Sequence, residues 1–297
     1  IISLKNKILK TTENIVNDQE SELQTITVYT EKEVYEHIPV GHPYRPKKSA
    51  ILFLKKGKII LKEQISVVEI HENSVVLIDM KSVYELLEIS KDIEIRSIAY
   101  NRSFIEKVSL KLNRLNLYNN LKKQLSRNFP LKPEEFSILW DNTELLSQTL
   151  KSQDKIEFSQ EIGVNYLSII IYFLMSFAPF SGYEQQGKMS RSQQIVYDFI
   201  MLVSEHYLTH KSVQFYAQKL GISMRHLSSV LKQENGKSAN EIISEFILNE
   251  AKAQLSGTSK SINTIADNLQ FSDSYSFSHF FKKHQKISPI QYRKQFL

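Results

Sequence analysis

Along the first hundred residues the apolar positions alternate with polar ones or gather in short runs, the pattern of strands; beyond residue 103 they recur every three or four, the pattern of helices. Residues 25–30 (TITVYT) alternate cleanly. Residues 50–64 (AILFLKKGKIILKEQ) place two β-rich runs around Gly57, which predicts a hairpin. Further strands are expected at 67–70, 75–78 and 93–100, with His71, Glu72 and Asn73 forming a turn. Short strands at this spacing suggest a small sandwich or barrel. Phe104, Val108, Leu112, Leu115, Leu121 and Leu125 then mark a helix, Pro130 and Pro133 interrupt the chain, and a second helix is expected over 134–150. A third begins near residue 157 and carries the run IGVNYLSIIIYFLMSFAPF at 162–180. That run approaches the ~20 residues needed to cross a bilayer. Asn165, Ser168, Ser176 and Pro179 interrupt it and no basic flank lies close, so a buried or dimer-forming helix is the expectation, and a membrane anchor the alternative.

Residues 181–192 (SGYEQQGKMSRS) hold two glycines and little that is apolar, and read as a linker. After it no proline occurs before Pro289, so the remainder can be almost wholly helical. Helix starts are well punctuated there. Ser238 with Glu241 and Ser288 with Gln291 form capping boxes, and Ser212, Ser223, Ser261 and Ser272 are candidate N-caps. With a first helix at about 193–207, seven short helices are expected.

The C-terminal third repeats itself. Val213, Ala217 and Leu220-Gly221-Ile222-Ser223 match Ile262, Ala266 and Leu269-Gln270-Phe271-Ser272 at an offset of 49. After one inserted residue the match resumes at 50: Leu227 with Phe277, Val230-Leu231-Lys232 with Phe280-Phe281-Lys282, and Ser238 with Ser288. Two copies of one helix-turn-helix unit follow, at about 213–234 and 262–285. The alanine must be small where the second helix crosses the first; Leu and Ile or Phe fill the space under the turn; Ser caps a helix whose other face lacks large apolar residues. Such a face fits a major groove about 12 Å wide. Residues 239–255 between the copies allow a helix of about 25 Å at 1.5 Å per residue, enough to hold two reading helices about one DNA turn, ~34 Å, apart.

Charge agrees with this picture. The chain carries a net +6, of which residues 190–297 supply +5, from ten Lys and three Arg against eight acidic residues. Five of the eight His lie there too. A basic segment suits a polyanion, without specifying which. Length favours two domains, and the absence of cysteine excludes disulfides, thiolate metal sites and a Cys nucleophile. Residues 1–10 lack the apolar core of a secretory leader, and a cytoplasmic location is expected.

The segment 252–293, above all IADNLQFSDSYSFSHFFKKHQKISPIQYR, resembles the signature of the AraC/XylS family of transcription regulators, and Leu220-Gly221-Ile222-Ser223 with Leu227, Gly236, Lys237 and Ser238 is similar to its first motif. The resemblance covers about 105 residues. It implies binding of double-stranded promoter DNA through both recognition helices, usually as a homodimer, with a variable N-terminal domain that senses a small-molecule effector or carries dimer contacts; RNA polymerase is a further implied partner. Two positions depart from the pattern, Gln270 for the usual turn Gly and Ile247 for the usual Arg of the connecting helix.

The expected architecture is therefore α+β: a β-rich, cupin-like sensor domain at 1–102, a helical dimerisation segment at 103–180, a linker at 181–192 and a DNA-binding domain at 193–297. In the first recognition helix Arg225 is the main candidate for reading a base, since Arg can grip guanine O6 and N7 together. Ser228, Ser229 and Lys232 share that side, Ser228 and Ser229 either reading bases or permitting close approach, while His226, beside a buried position, is a helix-surface contact or a phosphate ligand. In the second, Ser274, Tyr275, Ser278 and His279 fall where the family makes base or backbone contacts, and Lys282 and Lys283 are phosphate partners. The four Phe at 271, 277, 280 and 281 have core spacing rather than that of a stacking platform. No cofactor, metal or catalytic residue is expected. A metal-dependent cupin enzyme needs converging ligands, and the strand region offers only His37, His42 and His71.

Overall fold

The computed structural model describes residues 26–30, 33, 40–101, 127–152, 154–177 and 190–296. His37, the expected helix around 104–125 and most of the expected linker lie outside them.

Among the described residues eight strands build two sheets. β1 (Ile26–Thr30), β2 (Ser49–Lys56), β5 (Ser74–Ile78), β7 (Glu94–Tyr100) and β8 (Asn128–Pro130) form one, in the order β1-β7-β2-β5-β8. β3 (Ile59–Glu63), β4 (Ser66–Ile70) and β6 (Tyr84–Ile89) form the other, in the order β4-β3-β6. Successive side chains of a strand leave by opposite faces, and β2 shows the consequence. Its Ile51 and Phe53 face one apolar cluster, and Ala50, Leu52 and Leu54 face another. A strand buried on both sides must be apolar throughout, which is why residues 50–54 form an unbroken apolar run.

The second cluster lies between the sheets, where Leu52, Val76, Ile78 and Ile95 meet Ile59, Leu61, Tyr84 and Leu86. The first is covered by α1 (Pro133–Lys151) and α2 (Ser159–Phe177), whose Phe136, Leu139, Leu146, Leu167, Ile170, Ile171 and Leu174 are buried with Ile51, Val75 and Ile98. α2 is long and apolar enough to cross a membrane by length and composition, and its Leu167, Ile170, Ile171 and Leu174 are buried in the cluster shared with α1 and the sheet. Half-buried Arg127, just ahead of β8, pairs with Glu63 and donates to Ser82 Oγ at 3.2 Å, tying the two sheets together.

The expected hairpin around Gly57 is not formed. β2 pairs with β5 and β7, while β3 pairs with β4 and β6. Gly57, at φ 88°, carries the chain from one sheet to the other, and a Cβ there would lie 2.3 Å from Ser90 Oγ. The hairpin is instead β3–β4, closed by Gln64 and Ile65 with Gln64 at φ 50°. β6 and β8 had no counterpart among the expected strands.

The C-terminal unit contains seven helices among the described residues: α3 (Arg191–His206), α4 (Val213–Lys219), α5 (Met224–Asn235), α6 (Ala239–Gly257), α7 (Ile262–Asn268), α8 (Ser274–Gln285) and α9 (Pro289–Arg293). α3 starts inside the expected linker, because Ser190 and Gln193 form a capping box. The boxes at Ser238 and Ser288 are present, and Ser212, Ser223 and Ser261 cap as expected. Ser272 does not. The residue inserted in the second copy moves the cap to Asp273, whose carboxylate accepts from the Ser276 amide at 2.6 Å.

Candidate nucleic-acid interface

The repeat seen in the amino-acid pattern is repeated in the backbone. In the first copy, α4–turn–α5, the amides of Gly221 and Ile222 donate to the carbonyls of Gln218 and Ala217. In the second, α7–turn–α8, those of Gln270 and Phe271 donate to Asp267 and Ala266. The turn residues are left-handed in both, Gly221 at φ 66° and Gln270 at φ 54°. α5 and α8 are 12 residues each, and both end on a left-handed residue, Gly236 and Lys286.

Each copy closes over its own core. Ala217 and Ala266, at the helix crossings, are buried, as are Leu227, Val230 and Leu231 under the first motif and Leu269, Phe277 and Phe281 under the second. Phe280 is partly buried. Aromatic packing continues through the second copy, with Phe271 and Phe277 rings 5.5 Å apart and Phe281 and Tyr292 rings 5.4 Å apart. Because the inner faces of α5 and α8 are committed to these cores, their outer faces are presented to solvent.

Those faces hold the residues singled out in the sequence. On α5, Arg225, His226, Ser229 and Lys232 are exposed and Ser228 is half-buried. Lys232 Nζ donates to the Gly236 carbonyl at 2.8 Å, closing the end of its own helix. On α8, Tyr275 is 80% exposed, His279, Lys282 and Lys283 are exposed, and Ser274 and Ser278 are half-buried. His284, next along that face, is held below the usual imidazole value by burial and by the charges of Lys283 and Lys286. The Asp273 carboxyl is held below its usual value chiefly by the Ser276 amide bonded to it. Between the copies α6 runs as one uninterrupted helix of 19 residues, about 28 Å at 1.5 Å per residue. Ile247, the residue standing where the family has Arg, is buried.

A second group of residues, unmarked in the sequence, joins this unit to the strands. Arg45, ahead of β2, pairs with buried Glu250 of α6, and its Nη2 donates to Tyr207 Oη at 2.6 Å. Its Nη1 donates to the Lys81 carbonyl at 2.7 Å. Asn249 Nδ2 donates to the Gln64 carbonyl at 2.8 Å, and Ser256 Oγ donates to the Pro43 carbonyl at 2.9 Å. Ile65 of the β3–β4 turn packs on the core of the first motif, and the His42 ring meets Phe296 edge-on at 4.6 Å. Burial holds His42 below the usual imidazole value. His71 is exposed, 3.6 Å from Glu69. Among the described residues no group of three His, Cys, Asp or Glu could hold a metal ion. The hydrogen-bonded interdomain partners lie up to 213 residues apart, and no local pattern announces them.

Residues 216–295 match a helix-turn-helix domain family. A solved transcriptional regulator of the AraC-type DNA-binding domain-containing proteins, from Chromobacterium violaceum, is 30% identical over 35% of this chain and 94% of its own, with a TM-score of 0.33. The C-terminal unit is an AraC-type helix-turn-helix domain. The AraC-type domain also relates the chain to the raffinose operon transcriptional regulatory protein RafR of Pediococcus pentosaceus, 28% identical over 95 residues, 32% of this chain and 34% of that protein. The lactose operon transcription activator of Staphylococcus xylosus is 28% identical over 151 residues, 51% of this chain and 52% of that protein. The chain spans between 13% and 52% of the length of the curated relatives it is compared with.

Proposed function

We propose that this protein is a sequence-specific transcription regulator that reads two adjacent major-groove segments of promoter DNA, one with α5 and one with α8. The observation that carries this reading is the pairing of two backbone-equivalent helix-turn-helix copies on one straight helix, each with a polar, basic outer face in solvent. Arg225 reads a base in one half-site. Ser274, Tyr275, Ser278 and His279 meet the other, while Ser228 and Ser229 allow close approach, and His226, Lys232, Lys282 and Lys283 contact phosphates. The named relatives regulate sugar operons, which supports gene regulation as the role and a small-molecule effector as the signal.

The two-sheet unit is the cupin-like sensor in this proposal. Ile138, Leu145 and Ile169 stand exposed on α1 and α2, which supports pairing of two copies through those helices. Contacts from Arg45, Gln64 and Ile65 to α6 and the first motif give the sensor a direct hold on the DNA-binding unit, and so on polymerase recruitment in the cytoplasm.

The test is in-vitro binding of the purified full chain to fragmented DNA from its own source, with Arg225→Ala and His279→Ala in parallel, at one fixed salt concentration because phosphate contacts make affinity steeply salt-dependent. The expected result is a short bipartite motif whose halves lie about one helical turn, ~34 Å, apart, with each variant relaxing one half. Sequence-blind binding in the presence of candidate effectors would overturn the assignment of the reading faces.

A further inference from the structure

The two helix-turn-helix copies are joined by α6, and they also touch directly. Phe271 and Phe280 of the second copy are partly buried against the core of the first as well as their own, and Leu208, just ahead of the first copy, packs on both cores. Lys211 sits on this seam, one residue before the N-cap of α4. Its Nζ donates to the carbonyl of Gln270 at 2.8 Å and stands 3.8 Å from the centroid of the Phe271 ring. Gln270 is the left-handed residue of the second motif's turn. A side chain from the foot of the first motif thus grips the bend of the second.

The internal repeat supplies a comparison. Lys211-Ser212-Val213 corresponds to Lys260-Ser261-Ile262, so both copies have a lysine at this place. Lys260 is exposed, whereas Lys211 is half-buried with its ammonium on a backbone carbonyl and an aromatic face. Burial also lowers the Lys211 pKa. A residue that served only phosphate attraction would stay in solvent, where Lys260 is. An ammonium held on a turn carbonyl and over an aromatic ring instead restrains one rigid unit against the other, since both its stem and its head are held.

We propose that Lys211 is a positioning residue that fixes the separation and angle of the two recognition helices, and thereby makes the domain selective for one spacing of half-sites. The DNA part of this statement rests on the function proposed above; the geometric part does not. The full chain has no cysteine, so Ser229→Cys and His279→Cys place unique spin labels on the outer faces of α5 and α8. Pulsed electron-spin distance measurement without DNA is expected to give a narrow distribution for the parent chain, a broadened or displaced one for Lys211→Met, and a narrow one for Lys211→Arg, which keeps both a donor and a cation over the ring. Lys260→Met is expected to leave the distribution unchanged. A Lys211→Met distribution identical to the parent's overturns the proposal.

The second readout uses the unlabelled full chain and bipartite DNA with one or two base pairs inserted between the halves. Insertion is expected to cost the parent about tenfold in affinity, and Lys211→Met only about threefold, each tenfold being 1.4 kcal/mol. Equal weakening of Lys211→Met at every spacing would make Lys211 a phosphate contact and overturn the proposal. Absence of any bipartite site for the parent chain would instead refute the DNA reading, and the distance measurement would still decide the brace.

Discussion

Gln270 shows how one position holds both a local cost and a longer-range purpose. The turn of the first motif uses Gly221, free to adopt a positive φ, while the second turn uses Gln at φ 54° in the same hydrogen-bonded geometry. Left-handed backbone brings Cβ close to the following carbonyl, so an ordinary L-residue is strained there. Gln270→Gly is therefore expected to raise the unfolding free energy by about 0.5–1 kcal/mol, measured by urea denaturation. The carbonyl that Lys211 holds belongs to the backbone and is kept in that variant. Three residues on, Asp273 rather than Ser272 caps α8. Asp273→Ala should lower the melting temperature and Ser272→Ala should leave it nearly unchanged. The sign with pH follows from the bonded carboxylate, whose value lies below the ordinary 3.8. Its contribution is complete above that pH and is lost as pH falls through the lowered value. The gap between parent and Asp273→Ala should thus close in strong acid. The amino-acid pattern points to Ser272 because the repeat aligns it with Ser223, but the insertion that offsets the repeat falls on the cap itself and the backbone geometry gives the cap to Asp273.

At the scale of elements, what was legible depended on whether an element's neighbours are near it in sequence. The helices of the AraC-type domain declare themselves through N-caps three residues from their partners and through the Ala and Leu spacing of a short αα crossing, all local features. The sheets did not. The residues around Gly57 look like a hairpin, two apolar runs around a glycine, but β2 is buried on both faces and finds its partners in β5 and β7. β6, with Glu85 and Glu88 among its six residues and only Tyr84 and Leu86 buried, gives too weak an alternation to stand out. The crossing of α7 over α8 provides a test at this scale. Ala266 is fully buried where the helices meet, so Ala266→Leu forces extra volume into a closed core at a cost of about 1–3 kcal/mol. On the function proposed above, the expected outcome is loss of the half-site assigned to α8 with the half-site assigned to α5 retained, scored by binding to DNA carrying one half or the other, and a lowered midpoint in urea.

At the scale of the whole molecule the deciding contacts join segments that no local pattern could relate. Arg45 and Glu250 stand 205 residues apart, and neither has a neighbourhood that marks it. Glu250 lies on the helix that spaces the two motifs and its side chain is 7% exposed, while that of Arg45 is 30% exposed. A carboxylate so buried depends on its partner. Removing the guanidinium leaves an uncompensated charge, a change that costs about 3–5 kcal/mol for a fully buried pair, and the partial exposure of Arg45 places the expectation at the lower end. Arg45→Met should therefore cost about 3 kcal/mol in the cooperative unfolding of the docked chain. The companion variant separates charge from packing. In Arg45→Met with Glu250→Leu no charge is left stranded, and well-packed apolar replacements of buried pairs are often neutral, so the double variant should recover most of the loss. Asn249 and Ser256 still bond Gln64 and Pro43 in both variants, which keeps the two units in register while the pair is altered. If the double variant were as unstable as Arg45→Met alone, the hydrogen bonds from Arg45 to the Tyr207 hydroxyl and the Lys81 carbonyl, rather than the neutralisation of Glu250, would be what holds the strands on α6. Hydrogen exchange at the amides of α6 and of the β3–β4 turn reads the same contact directly. Both should exchange faster together in Arg45→Met and return together in the double variant, since each forms one side of a single interface.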